Sequence, residues 1–249
     1  MDPDFSTERP PLTAYAALAK MIDHSLLRPE LNEADVSEGC RVARDYQVAS
    51  VTVRPSDIDL AVRLMAGSGI PVGTVAGFPH GSETTATKLY ECRDALRRGA
   101  REIDMVLNIG KLLSRSFPYV ESEIQQMAAA CREQGAILKV IFENAYLTDE
   151  LKIVACRICS RAGAHFVKTS TGFAPTGATI EDLRLMRQHS SPDVKVKAAG
   201  GVRTLGRALE VYQAGADRFG ATATIAILEE WKTRLADAAA APGEQRVLS

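Results

Sequence analysis

The sequence lacks the features that mark several large classes of protein. Its longest apolar runs are only the length of a β-strand, so no membrane span is predicted. The 30 Lys and Arg residues balance 31 Asp and Glu residues at a formal net charge of -1, which predicts no basic surface for nucleic acid or anionic lipid. Residues 1–10 contain neither a basic nor an apolar stretch, so we do not expect a secretory signal. These absences favour a cytoplasmic protein without nucleic-acid or membrane partners.

Signatures of metal and nucleophile chemistry are missing as well. The four histidines have no HxxxH or HExxH spacing, and no G-x-S-x-G elbow occurs. The five cysteines are an odd and scattered set, which argues against a disulfide framework. Cys156 and Cys159 form a lone CxxC within a segment of helical periodicity, so we interpret them as two packed thiols. We therefore predict no metal site.

Short apolar runs alternate with segments of helical periodicity along the chain. The predicted strands are 21–26, 48–53, 71–76, 102–107, 137–142, 165–168, 194–198 and 217–220. The predicted helices are 33–46, 56–67, 83–98, 118–134, 149–162, 180–189, 203–214 and 222–235. Eight β-then-α units predict an α/β fold with a single (β/α)8 TIM barrel. The alternative is an open doubly wound sheet, but its usual G-x-G-x-x-G turn is missing after the first strand.

No linker interrupts this pattern, so we predict one domain. A flexible N-terminus at 1–10 precedes a barrel at 11–237, and an extra helix near 13–20 caps the bottom of the barrel. The Ala run and Pro-Gly of residues 238–249 predict a disordered tail.

Strand alternation places charged side chains inside the predicted barrel. In 102–107 the odd positions are apolar and face the helices, which turns Asp104 inward. The same alternation directs the following further side chains into the lumen: Asp23, Lys139, Lys168, Lys195 and Lys197. A structural lumen holds branched apolar residues, and burying an unpaired charge is costly. A network of salt bridges would explain any one of these residues, but two lysines and two carboxylates near one mouth favour a functional site.

Amine and carboxylate groups suit carbonyl chemistry. A lysine attacks a carbonyl carbon only when its amine is unprotonated, and a second ammonium beside it in a site of low polarity favours that form. The resulting imine acts as an electron sink, so that a nearby carbon–carbon bond can break while an aspartate transfers protons.

Glycine-rich turns follow the seventh and eighth predicted strands. Residues 198–204 read AAGGVRT and residues 218–222 read RFGAT, and each segment leads into a helix. TIM barrels often hold phosphate at these two loops, where glycines allow close backbone approach and helix N-termini present free N–H groups. A Gly-Gly pair is usually only a turn, but its position beside Lys197 favours a phosphate site.

Five segments resemble the deoxyribose-phosphate aldolase family. They are IDHSLL at 22–27, GFPHG at 77–81, EIDMVLNIG at 102–110, FVKTSTGF at 166–173 and VKAAGGVRT at 196–204. The resemblance runs from about residue 20 to about residue 235. It implies a class I (Schiff-base) aldolase that cleaves 2-deoxy-D-ribose 5-phosphate to acetaldehyde and D-glyceraldehyde 3-phosphate. It also implies that no cofactor or metal is needed and that the chain forms a homodimer or homotetramer.

The same resemblance implies roles for individual residues. Lys168 is the Schiff-base lysine, Lys197 lowers its pKa, Asp104 relays protons with the help of a bound water, and Asp23 supports this network. The phosphate-binding residues are Gly172, Gly200, Gly201, Val202, Arg203, Gly220 and Thr222.

The sequence departs from the family pattern at three places. Thr52 and Arg54 stand where many members have Cys and Asn, and Arg54 either touches substrate or is solvated. Ala223 stands where members often have a second serine. No tyrosine lies near Ser249, although some members use a C-terminal tyrosine to move a proton.

Two alternatives remain open at this point: a related lysine-dependent lyase for another short sugar phosphate or hydroxy-aldehyde, and a non-catalytic sugar-phosphate sensor.

Overall fold

The computed structural model describes residues 9–240, in which eight parallel strands close into one barrel. Each strand pairs with the next, and β8 pairs with β1. The strands are β1 (Ile22–Leu26), β2 (Ser50–Val53), β3 (Val72–Ala76), β4 (Glu102–Val106), β5 (Ile137–Ile141), β6 (Phe166–Lys168), β7 (Lys195–Ala198) and β8 (Arg218–Ala221). The predicted (β/α)8 barrel is confirmed, and each observed strand overlaps its predicted counterpart.

Helices follow the strands and surround the barrel. They are α1 (Tyr15–Ala19), α2 (Glu33–Asp45), α3 (Ile58–Met65), α4 (Thr85–Arg97), α5 (Ile109–Leu113), α6 (Phe117–Glu133), α7 (Asp149–Ala162), α8 (Ile180–His189), α9 (Leu205–Gln213) and α10 (Thr224–Ala240). Two short 3-10 turns lie at Pro55–Asp57 and Asn144–Tyr146. Along the described stretch from 9 to 240, none of the helices is long and apolar enough to cross a membrane.

Two helices differ from the sequence-based prediction. The five-residue helix α5 was not predicted, because it is too short to show helical periodicity. Helix α10 continues to Ala240, so residues 238–240 of the predicted tail are helical. Alanine has the highest helix propensity, which favours this extension through the Ala run. Residues 1–8 and 241–249, which hold most of the predicted flexible N-terminus and tail, lie outside the described residues.

Side chains on the two faces of the strands have different surroundings. The outward face carries apolar residues such as Ile103, Val140 and Val196, which are fully buried in the hydrophobic core. This burial removes apolar surface from water and stabilises the packing of helices on the barrel. The inward face carries the charged side chains predicted for the lumen, and the register places Lys168 of β6 directly beside Lys197 of β7.

Lys195 corrects one detail of the predicted lumen. It lies on the same face of β7 as Lys197, but it is the first residue of the strand and is exposed. Its Nζ lies 5.8 Å from the centroid of the Phe166 ring. A lysine at the N-terminal end of a barrel strand can reach solvent, so Lys195 does not join the buried charges.

Candidate active site

Seven charged side chains meet inside the barrel, and each comes from the inward face of a strand. They are Asp23, Glu102, Asp104, Lys139, Lys168, Lys197 and Arg218. All are buried except Arg218, whose side chain is 18% exposed. We call this set the lumen cluster. Every predicted catalytic residue belongs to it.

Asp104 lies at the centre of the lumen cluster. Its Oδ2 accepts hydrogen bonds from Lys168 Nζ at 2.8 Å and from Lys197 Nζ at 2.7 Å. Its Oδ1 lies 3.0 Å from Lys139 Nζ. Asp23 Oδ2 is 2.5 Å from Lys197 Nζ and 2.9 Å from Lys139 Nζ. The two carboxylates therefore hold the amines of Lys168 and Lys197 close together.

Glu102 and Arg218 form a second layer that was not among the predicted site residues. Glu102 Oε2 is 2.6 Å from Lys139 Nζ, and Glu102 Oε1 is 2.8 Å from Arg218 Nη1. Arg218 Nη1 also donates to Asp23 Oδ1 at 3.0 Å. Strand alternation was the available signal, because Glu102 lies two residues before Asp104 and Arg218 two residues before Gly220.

The cluster holds three carboxylates and four cationic groups, so its fully ionised form has one excess positive charge. Burial would lower the pKa of Lys139, but Asp104, Asp23 and Glu102 together hold it well above its usual value. Burial lowers the pKa of Lys168 to about 8, with Lys197 and Lys139 adding to the effect and Asp104 opposing it. Lys168 can thus lose its proton near neutral pH and remove the excess charge.

The two aspartates remain ionised at the same time. Burial would raise the pKa of Asp104, but Lys139, Lys168 and Lys197 outweigh that effect and hold it well below its usual value. The pKa of Asp23 is likewise lowered, because neighbouring cations outweigh burial. The cluster can therefore present a neutral amine beside permanent carboxylates, which is the arrangement that a lysine nucleophile requires.

A cavity of about 440 Å³ opens above the cluster at the C-terminal ends of the strands. Ten of the eleven predicted site residues line it: Asp23, Lys168, Gly172, Lys197, Gly200, Gly201, Val202, Arg203, Gly220 and Thr222. The eleventh, Asp104, is fully buried and bonded to both lysines. The structure thus brings the predicted catalytic and phosphate-binding sets together around one cavity.

The glycine loops at this cavity depend on close backbone approach. Gly200 and Gly201 have φ angles of 82° and 92°, in the left-handed region that favours glycine. Ala178 N donates to Gly200 O at 3.1 Å, and a Cβ on Gly200 would lie 2.8 Å from the Cα of Gly177. Helix α9 follows, with the Thr204 hydroxyl accepting from Arg207 N at 3.2 Å. The loops after β6 and β7 therefore pack against each other through glycine, at the start of a helix.

The two departures at β2, Thr52 within the strand and Arg54 directly after it, have different surroundings. Thr52 lines the cavity, and its buried Oγ1 has no hydrogen-bond partner in the part of the chain that the structure describes. Arg54 does not line the cavity. Its Nε donates to Asp57 Oδ2 at 2.6 Å and its Nη1 to Pro29 O at 3.0 Å. Arg54 therefore ties the loops after β1 and β2 together instead of extending into solvent or towards substrate.

Sequence reasoning also missed several residues at the mouth. The cavity is further lined by Ser25, Leu27, Arg28, Thr171, Phe173, Ala199 and Ala221. Glu143 is buried two residues beyond the end of β5 and accepts hydrogen bonds from Thr171. Alternation along β5 could have indicated Glu143, since the position follows Lys139 and Ile141 on the inward face.

The cysteines are free and buried. Cys156 and Cys159 lie in α7, where burial raises the pKa of the Cys156 thiol to about 11. A thiol in this state is protonated and unreactive at neutral pH. Within residues 9–240, no group of three or more His, Cys, Asp and Glu side chains is placed to hold a metal ion.

Comparisons with known proteins agree with this geometry. A family model described as DeoC/LacD family aldolase matches residues 17–230. A deoxyribose-phosphate aldolase of Clostridium perfringens strain SM101 is 48% identical over 212 residues, which cover 85% of this chain and 94% of that protein. A deoxyribose-phosphate aldolase of Rhodopirellula baltica is 48% identical over 221 residues, or 89% of this chain and 92% of that protein.

A solved structure extends the similarity to three dimensions. It is a deoxyribose phosphate aldolase from Aeropyrum pernix, described as having a unique tetrameric structure. It matches at a TM-score of 0.83 and 31% identity, covering 90% of this chain and 94% of the other. In sequence and in structure alike, the chain belongs to the DeoC/LacD family of aldolases.

Proposed function

We infer that this chain is a Schiff-base aldolase that reversibly cleaves 2-deoxy-D-ribose 5-phosphate into acetaldehyde and D-glyceraldehyde 3-phosphate. The observation that carries the proposal is the buried Lys168 amine, whose pKa is lowered to about 8 and which faces the cavity beside Lys197. The curated relatives that bear this activity in their names are matched over more than nine-tenths of their length.

In the proposed mechanism, the neutral Lys168 amine attacks the C1 carbonyl of the open-chain sugar. Loss of water from the resulting carbinolamine gives a protonated imine. Removal of the proton from the C3 hydroxyl then breaks the C2–C3 bond, releases D-glyceraldehyde 3-phosphate and leaves an enamine on Lys168. Protonation of the enamine at C2 and hydrolysis of the imine release acetaldehyde and regenerate the lysine.

We assign the proton transfers to Asp104 acting with a water in the cavity. The neighbouring lysines hold the pKa of Asp104 well below its usual value, so the carboxylate accepts a proton only briefly and returns it. Burial and the charge of Lys197 together keep the Lys168 amine neutral, and Asp23 holds Lys197 in place through a contact of 2.5 Å.

The substrate phosphate binds, in this proposal, at the loops after β6, β7 and β8. Backbone N–H groups of Gly172, Gly200, Gly201 and Gly220 surround it, with Val202, Arg203 and Thr222 completing the site. Support comes from the shared cavity, the left-handed glycines and the helix that starts after Thr204. Helix N-termini and free N–H groups favour anions.

We also propose that the chain works in the cytoplasm as a homodimer or homotetramer. The five buried free thiols suit a reducing compartment. The solved relative from Aeropyrum pernix is described as tetrameric, which supports an assembly of this kind. Light scattering on the purified chain should give a mass of two or four times 26.9 kDa, and a monomer at all concentrations would refute the assembly.

Replacement of Lys168 tests the proposed function most directly. Lys168→Leu should abolish cleavage and also the trapping of acetaldehyde by borohydride, because no imine can form. Mass spectrometry of the wild type should find the reduced adduct on Lys168. The exposed Lys195 provides a control, since Lys195→Leu should be trapped normally. Adduct on Lys197 or Lys139 in the Lys168→Leu variant would refute the assignment.

The charges around Lys168 predict opposite pH shifts for two variants. Lys197→Leu removes a cation that lowers the pKa of Lys168, so imine formation should need a higher pH than in the wild type. Asp104→Asn removes the charge that raises this pKa, so its profile should move below the wild-type value of about 8. Asp104→Asn should also reduce kcat by about 10²–10⁴-fold through loss of proton transfer.

The rate of acetaldehyde imine formation as a function of pH provides the measurement for both variants. Shifts in the same direction would mean that Lys197 and Asp104 do not act on Lys168 through their charges. A change confined to KM in Asp104→Asn would exclude its role in proton transfer.

The glycine loops predict a loss of phosphate selectivity in Gly200→Ala. The substitution places a Cβ in a left-handed backbone and 2.8 Å from Gly177, so the loop must shift. The ratio of kcat/KM for 2-deoxyribose 5-phosphate over 2-deoxyribose should fall by about tenfold or more. Gly206→Ala in α9 has open space around the added Cβ and should leave the ratio unchanged.

Ala223→Ser tests the same site in the opposite direction. Serine adds a hydroxyl donor beside Thr222, so the selectivity ratio should rise. An unchanged ratio in both Gly200→Ala and Ala223→Ser would show that phosphate binds elsewhere.

A further inference from the structure

Glu143 is a buried carboxylate at the mouth of the barrel to which the mechanism gives no role. It lies two residues beyond the end of β5 and is 2% exposed. Between residues 9 and 240 no cationic nitrogen lies within ion-pair distance of it, and only the charge of Lys168 acts on it at longer range. Its carboxylate instead accepts hydrogen bonds from Thr171, from the backbone N at 3.2 Å and from the hydroxyl Oγ1 at short range. A buried acid without a direct ion pair is costly, so its presence beside a functional cavity needs an explanation.

The backbone at Glu143 is bent towards the loop after β6. Phe142 N donates to Lys168 O at 3.0 Å, and Asn144 N donates to Thr169 O at 2.9 Å. Between these two fixed residues, Glu143 has a φ of 55°, in the left-handed region that disfavours a residue with a Cβ. Glycine would adopt this conformation without strain, whereas glutamate adds a carboxylate directed at Thr171.

Through Thr171 the carboxylate reaches a turn that lines the cavity. The Thr171 hydroxyl donates to Glu143, and its oxygen accepts from Phe173 N at 3.0 Å. Glu143 therefore orients the hydroxyl so that its lone pairs face the Phe173 N–H group. Gly172, with a φ of 92°, lies inside this turn. Thr171, Gly172 and Phe173 all line the substrate cavity.

The turn also forms one wall of the mouth. The Phe173 ring is half exposed and packs edge-on against Phe78, at 5.5 Å between ring centroids. Phe78 belongs to the loop after β3, so the pair joins the loops that follow β3 and β6. A turn released from Glu143 would move both this wall and the backbone at Gly172.

We propose that Glu143 is a positioning residue that holds the Thr171-Gly172-Phe173 turn in the conformation that binds the phosphate end of the substrate. The inference rests on the proposed aldolase function and adds a functional residue that lies outside the lumen cluster. It separates two parts of the reaction: Glu143 serves recognition of the phosphorylated half, whereas Lys168 forms the imine with the aldehyde half.

Three variants test this role. Glu143→Gly removes the carboxylate and the strained Cβ together, while Glu143→Gln keeps an oxygen that can accept from Thr171 N. Gln47→Gly is the matched control, because Gln47 also has a left-handed φ of 54° but is exposed at the end of α2. Circular dichroism and thermal unfolding establish that each variant is folded.

For Glu143→Gly we expect KM for 2-deoxyribose 5-phosphate to rise by about tenfold or more, the effect of losing a well-placed hydrogen bond to a charged group. The rate of acetaldehyde trapping at Lys168 and kcat/KM for unphosphorylated 2-deoxyribose should stay within about twofold, since neither involves phosphate. Glu143→Gln should recover most of the KM, and Gln47→Gly should match the wild type on both substrates.

Equal losses on both substrates and in trapping would overturn the inference, because Glu143 would then act on Lys168 or on the fold as a whole. A wild-type KM in Glu143→Gly would overturn it too, as would a Glu143→Gln variant no better than Glu143→Gly. Failure of the aldolase proposal is read separately, from a wild-type chain that neither cleaves 2-deoxyribose 5-phosphate nor is trapped by acetaldehyde.

Discussion

The contact of two lysine amines with one aspartate oxygen governs the chemistry of this barrel. Asp104 Oδ2 accepts from Lys168 and from Lys197 at nearly the same distance, so both amines are held close together out of water. Burial and the second amine lower the pKa of Lys168, while the negative charge of Asp104 raises it. The balance leaves Lys168 able to exist as a neutral amine near physiological pH, which an imine-forming lysine requires.

The rest of the lumen cluster maintains the balance of charges that determines the pKa of Lys168. Lys139 and Arg218 neutralise Asp23 and Glu102 beneath the two reactive amines. Without them, the carboxylates would act more strongly on Lys168 and would raise its pKa. Asp23 contacts both Lys139 and Lys197, so it links the supporting layer to the reactive layer. Buried ion pairs add little net stability, and we attribute this network to the tuning of one lysine.

The mouth of the barrel follows a different physical rule. There the backbone conformation matters more than charge, because left-handed glycines and the bent residue Glu143 determine where N–H groups and loop walls lie. Gly177 and Gly200 let two loops approach to within hydrogen-bonding distance, and Glu143 holds the turn between Thr171 and Phe173. Under the proposed function, recognition of the sugar phosphate and formation of the imine depend on separate sets of interactions that share one cavity.

Local pattern was sufficient to predict the architecture and most of the lumen. The period of two along each strand determines which side chains face inward, so Asp104, Lys168 and Lys197 were identifiable before any contact was known. The eight repeats of strand and helix, with glycine turns after the last two strands, determined the barrel and the side on which its cavity opens. A helix as short as α5 left no periodic signal, and the predicted tail began three residues too early because its alanines continue α10.

Only the tertiary structure decided which of these side chains are in contact and how those contacts change their pKa values. Partners such as Asp23 and Arg218 lie 195 residues apart in the chain, and only closure of the barrel between β8 and β1 brings them together. The pKa of Lys168 depends on burial and on charges from three other strands, none of which a local pattern contains. Arg54 bonds to Asp57 and Pro29 instead of substrate, and Glu143 reaches Thr171, because loop conformation determines where a side chain points once its strand has ended.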